Sequence, residues 1–280
     1  MKRFFKFLIL CLFVLFCFNI QSFAKSKRPN HSKKYFITAE SVILVDITRN
    51  KILYSKQIHK RYPPASTVKL LTAFIALEEL GHNFDVRISK RASQTDPSKV
   101  WLPEGAIFNS LDLINAVLIA SANDASVALA EAVSGTEEEF ARKMNEKAKS
   151  FGAKESNFTN ASGLPSKNQY STTYDLYRIT KAAIKNDDVY NIMRKKKKKI
   201  KGTKGKEITL VNHNKLLFKK SYPLVLLKTG YTKPAKHCYA GKIYYKGRQY
   251  VFAFLKSRKP WQDIEKLIQL IKKILTQNLG

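Results

Sequence analysis

Apolar and polar positions along the chain fall into several distinct rhythms. Residues 7–18 form an uncharged run of Phe, Leu, Ile, Val and Cys, preceded by Lys2, Arg3 and Lys6. Ser41-Val42-Ile43-Leu44-Val45-Asp46 has strand character. Thr48-Arg49-Asn50 turns the chain, and Lys51–Ser55 reads as the hairpin partner. Tyr62-Pro63-Pro64-Ala65 stops extended structure, and from Ser66 to near Gly81 the chain is apolar on most sides of a helix, which marks that helix as buried. Residues that open it therefore sit at the edge of the protein's centre. The pattern is mostly helical from Ser110 to Asp188, with helices at Leu111–Ala120, Asp124–Val133, Glu137–Phe151 and Thr172–Lys185 and a loop at Gly163–Ser171. Arg194–Lys199 is an unbroken cationic run, read as a solvated loop or fraying helix end, with an anion-docking patch as the alternative. Strands are expected at Glu207–Val211, Leu224–Leu227, Cys238–Tyr245 and Gln249–Leu255. Trp261, Ile264, Leu267, Ile268, Ile271, Ile274 and Leu275 recur at helical spacing, which predicts a terminal helix packed on the sheet rather than lying on a membrane.

The 280 residues are 44% hydrophobic and 11% aromatic, enough to build a core and to exclude general disorder. Lys and Arg number 51 against 21 Asp and Glu, a net +30 that attracts polyanions. The N-terminus narrows which polyanions matter. A basic start, an apolar run too short to span a bilayer, and small residues at Ser22 and Ala24 have the layout of a secretory signal peptide over 1–24. Residues 25–35 read as a basic flexible leader and 36–280 as the working domain, its helical subdomain at about 82–190. Cleavage after Ala24 removes Cys11 and Cys17 and leaves Cys238 alone, so no structural disulfide is expected. An exported protein of this charge meets anionic wall polymer and lipid head groups before nucleic acid, so no nucleic-acid partner is expected.

Three short motifs carry candidate chemistry. Ser66-Thr67-Val68-Lys69 sets a hydroxyl and an amine three residues apart at the start of the buried helix, on one face and within hydrogen-bond reach. A serine needs a base to become nucleophilic, and lysine serves only when burial or a neighbouring cation holds it neutral. Backbone N–H groups at the helix start would stabilise negative charge developing beside Ser66. Ser121-Ala122-Asn123 lies between two apolar helices, so its hydroxyl and amide can point from a short turn into one cleft. Lys228-Thr229-Gly230 ends an apolar strand with a cation, a hydroxyl donor and a residue that permits close approach of a ligand backbone, a combination suited to a carboxylate. Ser22-Phe23-Ala24-Lys25 and Ser166-Lys167-Asn168 repeat two of these patterns in unsuitable contexts, so the ordered trio is what discriminates.

Serine-x-x-lysine, serine-x-asparagine and lysine-threonine-glycine in this order resemble the signature of penicillin-recognising serine enzymes. With Pro64–Lys69, Ala120–Ala125, Gly163-Leu164, Gln169–Thr172 and Lys228–Thr232, the chain from about Phe36 onward resembles the D-alanyl-D-alanine carboxypeptidase family of low-molecular-mass penicillin-binding proteins. The resemblance implies an α+β fold of the β-lactamase/transpeptidase type: a mainly antiparallel sheet flanked by helices, plus an all-helical subdomain, with the active site between them. It implies Ser66 as acylated nucleophile, Lys69 as general base and Ser121 as proton relay to the leaving D-alanine. Asn123 would bind the substrate amide, Lys228 and Thr229 the terminal carboxylate, and the N–H groups of Ser66 and Tyr231, beside Gly230, the oxyanion. The implied substrate is a peptidoglycan stem peptide, with β-lactams as inhibitors and no cofactor or metal. The five histidines are scattered without metal-ligand spacing.

Two departures from the family pattern stand out. Lys236 follows Ala235 where the family has glycine, a change expected to narrow or charge the rim of the pocket. The chain also ends one helix beyond Leu255, without the β-rich domain and membrane-lying tail of many relatives, which leaves anchoring to the basic surface or an uncleaved signal. A Glu-x-x-Leu-Asn deacylation stretch is missing, which disfavours a β-lactamase. An endopeptidase cutting D-alanyl cross-links shares every motif, and a catalytically dead wall- or membrane-binding module is the reading from another class.

Overall fold

The computed structural model describes residues 36–219 and 223–277, so the expected signal segment and leader lie outside the described residues. The described chain opens with the hairpin β1 (Ser41–Asp46) and β2 (Lys51–Lys56), and a 3-10 turn at Ala65–Val68 feeds α1 (Lys69–Leu80). Next come β3 (Asp85–Arg87), α2 (Lys90–Gln94), β4 (Ile107–Asn109), α3 (Ser110–Ile119), α4 (Asn123–Ser134), α5 (Glu137–Ser150), α6 (Thr173–Ala183) and α7 (Asp187–Arg194). The ribbon β5 (Lys197–Ile200) and β6 (Ile208–Val211) and a second 3-10 turn at Lys215–Phe218 lead to β7 (Leu224–Thr232), β8 (Lys236–Tyr245), β9 (Arg248–Ser257) and α8 (Pro260–Gln277).

Polar side chains start most of these helices by accepting orphan backbone N–H groups. Asn109 caps α3, Thr136 caps α5, Thr172 caps α6 and Asn186 caps α7. The 3-10 turn carrying Ser66 and α1 behind it have no such side-chain cap. The central sheet is antiparallel with strand order β2-β1-β9-β8-β7, which leaves β7 at an edge. Both of its faces are covered, so β1 reads as a continuous apolar run instead of alternating. Ile43, Val45, Val251 and Ala253 pack towards α1 and the helical side, whereas Val42, Leu44, Phe252 and Phe254 pack towards α8. Ile264, Leu267, Ile268 and Ile271 of α8 complete that second layer. Among the described residues no helix is long and apolar enough to cross a membrane.

Three differences from expectation stand out, besides the unexpected short helices α2 and α7. Within residues 82–190 the helices are joined by loops over 95–106 and 151–172 and by the ribbon β3–β4, whose strands are too short to show a period. Lys197–Lys199 are not a loop or a helix end: they form β5, paired with Thr209–Val211, with buried Ile200 and Leu210 anchoring the ribbon while Lys197 and Lys199 face solvent. Strand β7 continues through Lys228-Thr229-Gly230 to Thr232, so the motif lies within an edge strand and not at its exit.

Candidate active site

Three segments distant in sequence meet around one cavity of about 780 Å³, between β7 and the helical side, into which Ser66, Ser121, Asn123, Thr229, Gly230 and Tyr231 all face. Local conformation aims them there. Ala65 and Ser121 both occupy the left-handed region, at φ 48° and 58°, sparsely populated for side-chain-bearing residues and typical of functional turns. Ser121 thus turns the chain between α3 and α4, and Asn123 begins the latter.

Lys69 is fully buried, and its Nζ lies 2.9 Å from Ser66 Oγ and 2.7 Å from Asn123 Oδ1, with the Ser162 carbonyl also in contact. Two of these partners only accept hydrogen bonds, whereas a hydroxyl can also donate. A neutral amine has two N–H groups and one lone pair, so it fits this environment with its lone pair on the Ser66 proton. Burial, and then the charge of Lys228, hold the Lys69 amine well below the ordinary lysine range, with Asp124 and Glu137 pulling the other way.

Lys228 Nζ donates to Ser121 Oγ at 2.7 Å and to the Thr229 carbonyl at 2.9 Å. Burial brings its amine down to about 7. Only 2% of Lys228 is exposed, so it sits behind Ser121, and Thr229 is the half-buried neighbour on the cavity wall. Gly230 is required for an internal reason: a Cβ there would fall 2.8 Å from the backbone N of Ser66. What approaches that glycine is the protein's own nucleophile turn. Gly163 does the same on the opposite side, at φ +79° with its would-be Cβ 2.1 Å from the Ala65 carbonyl oxygen. Lys236 is exposed and adopts φ 53°, the conformation glycine takes freely, while its neighbour His237 is the residue that lines the cavity.

Several groups at the site have no motif in the sequence. The Ser162 carbonyl is one, and it is held in place because Glu137 Oε1 accepts from Ala161 N at 3.0 Å and Thr72 Oγ1 donates to the Ala161 carbonyl at 2.7 Å. Buried Asp124 accepts from the backbone N–H groups of Val100, Leu102 and Ala125, which fixes the loop beside Asn123. A backbone carbonyl has no side-chain signature, though Asp124 falls within the family-like stretch Ala120–Ala125.

The sequence profile of the D-alanyl-D-alanine carboxypeptidase family (peptidase S11) matches residues 26–256. The chain belongs to that family. It is 35% identical over 244 residues to D-alanyl-D-alanine carboxypeptidase DacF of Bacillus subtilis, covering 85% of this chain and 62% of the relative. DacB2 of Mycobacterium tuberculosis, also named a D-alanyl-D-alanine carboxypeptidase, is 32% identical over 220 residues, covering 78% of this chain and 74% of the relative. The crystal structure of a D-alanyl-D-alanine carboxypeptidase from M. tuberculosis H37Rv superposes with a TM-score of 0.79 at 27% identity, covering 84% of this chain and 91% of that one. The chain thus spans about three fifths of the length of DacF and about three quarters of DacB2.

Proposed function

We propose that this protein is an exported serine-type D-alanyl-D-alanine carboxypeptidase. It removes the terminal D-alanine of peptidoglycan stem peptides through an acyl-enzyme on Ser66 and is acylated by β-lactams. The observation that supports this reading best is the pair of amine–hydroxyl contacts on one cavity, Lys69 to Ser66 at 2.9 Å and Lys228 to Ser121 at 2.7 Å.

In this reading Ser66 Oγ attacks the carbonyl carbon of the penultimate D-alanine while its proton passes to the Lys69 lone pair. The N–H groups of Ser66 and Tyr231 hold the oxyanion, each worth about 3 kcal/mol. The C–N bond then breaks, the leaving nitrogen takes a proton relayed through Ser121, and D-alanine departs. Water hydrolyses the Ser66 ester with Lys69 again as base. Asn123 spends Oδ1 on Lys69 and one N–H on the Asp96 carbonyl at 2.8 Å, so its other N–H is the group a substrate amide would meet. Thr229 would contact the terminal carboxylate, with Lys228 acting from behind through charge and through Ser121. The pattern of residues 1–24 supports export, residues 25–35 a leader, and 36–280 the catalytic domain. The excess of Lys and Arg over Asp and Glu supports attraction to anionic envelope polymers.

Fluorescent penicillin should label the purified protein, with the label on Ser66, and a synthetic acyl-D-alanyl-D-alanine peptide should release free D-alanine. An unlabelled protein, or label that persists in Ser66→Ala, would overturn this reading.

A further inference from the structure

Tyr174, Tyr177, Arg178, Lys181 and Lys185 follow one another at steps of three, one, three and four, which sets them along one face of α6 and just past its end. That face lines a second cleft, of about 430 Å³, whose other walls are Phe151 at the end of α5 and Asn50 in the β1–β2 turn. None of these residues lines the cavity that holds Ser66. The described lining carries three cations and no carboxylate. Among the described residues Arg178, Lys181 and Lys185 form no ion pair. Lys181 stands in the last turn of α6, where a cation also offsets the helix dipole. The dipole gives no reason for Arg178 a turn earlier, nor for the aromatic wall.

Arg178 is built into this wall. Its Nη2 donates to Tyr174 Oη at 2.8 Å, and its guanidinium carbon stands 4.8 Å from the centroid of that ring. Gly152 leaves the space it occupies: a Cβ there would fall 2.5 Å from Arg178 Nη1. Arg178 Nε is buried, and among the described residues it has no hydrogen-bond partner. The nearby acids are engaged elsewhere. Glu155 and Asp175 line a separate cavity, where Glu155 pairs with His59 and Asp175 accepts from Glu155 N and Ser156 Oγ. A planar guanidinium held in place with an uncommitted N–H, beside two lysines, suits the several oxygens of a phosphate. The Tyr174 and Tyr177 rings, centroids 6.2 Å apart and tilted by 46°, supply apolar faces with hydroxyl tips, which suit the C–H face of a sugar or polyol.

Charge continues beyond the cleft. Exposed Arg49 and Lys51 flank Asn50, and the β8–β9 turn with exposed Lys246 lies alongside, tied by Ile47 N donating to the Gln249 carbonyl at 3.0 Å. The one acid of the β1–β2 turn, buried Asp46, is occupied by the N–H groups of Thr48 and Arg49. Cations spread along two turns exceed what a single phosphate can meet and fit a repeating anion. We propose that the α6 cleft binds one sugar- or polyol-phosphate unit of an anionic polymer whose neighbouring phosphates follow Arg49 and Lys51. A recessed cleft accepts such a unit, whereas a membrane surface calls for a projecting face. The choice of a wall polymer rests on the export reading, and the cleft itself needs nothing from the peptidase chemistry. Docked there, the polymer engages none of the residues lining the Ser66 cavity.

Titration calorimetry of the purified protein with a glucosylated glycerol phosphate oligomer tests this, with a neutral glucose oligomer of equal length beside it. The phosphate oligomer should bind and the neutral one should not, and binding should weaken as salt rises. Lys181→Ala/Lys185→Ala and Arg178→Gln should each weaken binding by about tenfold or more, the worth of a charge-assisted contact. Should Arg178→Gln fail to fold, the lysine pair decides, since both lysines are exposed. Lys197→Ala/Lys201→Ala removes the same charge from the exposed side of β5 and the residue after it, and should lose little. Equal losses in the two lysine pairs would mean that net charge binds the polymer, and would overturn the cleft. So would a wild type that ignores the oligomer, or one that binds inorganic phosphate or phosphatidylglycerol vesicles as tightly. Penicillin labelling should be unchanged in every variant. A labelled wild type that does not bind the oligomer overturns the cleft alone, and an unlabelled one that binds it overturns the peptidase reading alone.

Discussion

Lys228 and Ser121, 107 positions apart, meet through a 2.7 Å hydrogen bond that ties the edge strand to the turn between α3 and α4. The bond places a second buried amine beside the first, and the Lys228 charge is one of the causes that keep Lys69 below its ordinary range. The Lys228 amine itself titrates at about 7, so this arrangement changes within the working pH range. Below that pH Lys228 is charged, suppresses the charge on Lys69 and attracts a carboxylate. Above it both effects fade. Penicillin acylation followed across pH should therefore fall on an alkaline limb beginning near pH 7 and on an acid limb where Lys69 takes up a proton. Lys228→Gln should be slower throughout and lose the alkaline limb. A variant that keeps that limb would show it belongs to another group.

The same burial carries a stability cost with a definite sign. The Lys228 amine is down at about 7 in the folded state against an ordinary 10.5. Below pH 7 it is protonated in both states, and the cost of burying the charge is present in full. Between the two values the folded state releases the proton and the cost shrinks as pH rises. Lys228→Met should accordingly raise Tm while lowering activity, and raise it more at pH 6 than at pH 9. Melting curves at both values check this. An equal or larger gain at pH 9 would mean the burial cost is misassigned.

Ser66 and Lys69 should behave as one unit. Lys69→Ala should slow acylation by about a hundred- to ten-thousandfold, the range for a positioned base. Ser66→Ala should abolish it, and the double variant should lose nothing further. Far-UV circular dichroism of Ser66→Ala should match wild type, because Ser66 is only half-buried and its side chain bonds to Lys69 and, at 3.4 Å, to the Ser162 carbonyl. Labelling of Lys69→Ala at the wild-type rate would exclude it as the base.

The proposed catalytic side chains were readable in the sequence because each is a polar residue set in an apolar element, where its cost demands a reason. Lys69 within the buried α1 and Lys228 after Leu224–Leu227 are such cases. The hairpin β1–β2 and helix α8 were readable for the complementary reason, sustained apolar patterning. Other features left no trace. Strand β5 is disguised because Lys197–Lys199 satisfy the charge pattern of a loop while their backbone pairs as a strand, and only Ile200 hints at a buried side; its partner β6 falls within the expected strand Glu207–Val211. The internal reason for Gly230 leaves no trace either, because a motif shows that close approach is needed but not everything that approaches, and the Ser66 backbone is one such partner. Ser162 contributes through its carbonyl, which every residue has.

Gly163 tests how tightly the nucleophile turn is clamped. A Cβ there meets the Ala65 carbonyl carbon at 2.4 Å and its oxygen closer still, and φ is +79°. Backbone atoms cannot swing aside as a side chain would, so Gly163→Ala should combine backbone strain with overpacking, each about 1–3 kcal/mol. It should lower the urea midpoint and slow acylation together, because the segment displaced carries Ser66. Gly247, with nothing within 4 Å of its would-be Cβ and φ +71°, supplies the control: Gly247→Ala should show strain in the urea midpoint alone. A Gly163→Ala protein as stable and as readily acylated as wild type would show that the turn has room to move.

Glu137 acts on the site in two separable ways. Its Oε1 accepts the Ala161 N–H at 3.0 Å and its Oε2 accepts from Arg91 at 3.0 Å, which holds the peptide whose next carbonyl, that of Ser162, contacts Lys69. Its charge also raises the Lys69 amine, against the larger effects of burial and Lys228. Glu137→Gln keeps an acceptor for Ala161 and removes the charge, so Lys69 should drop further and the acid limb of acylation should move to lower pH with little loss of rate at neutrality. Glu137→Ala removes both, leaving a buried N–H without its acceptor at about 1–3 kcal/mol. It should show the same acid-limb shift together with a lower plateau rate, because the Ser162 carbonyl is no longer fixed. Matching pH profiles for wild type and Glu137→Gln would remove the electrostatic role, and equal plateaus for the two variants would remove the positional one.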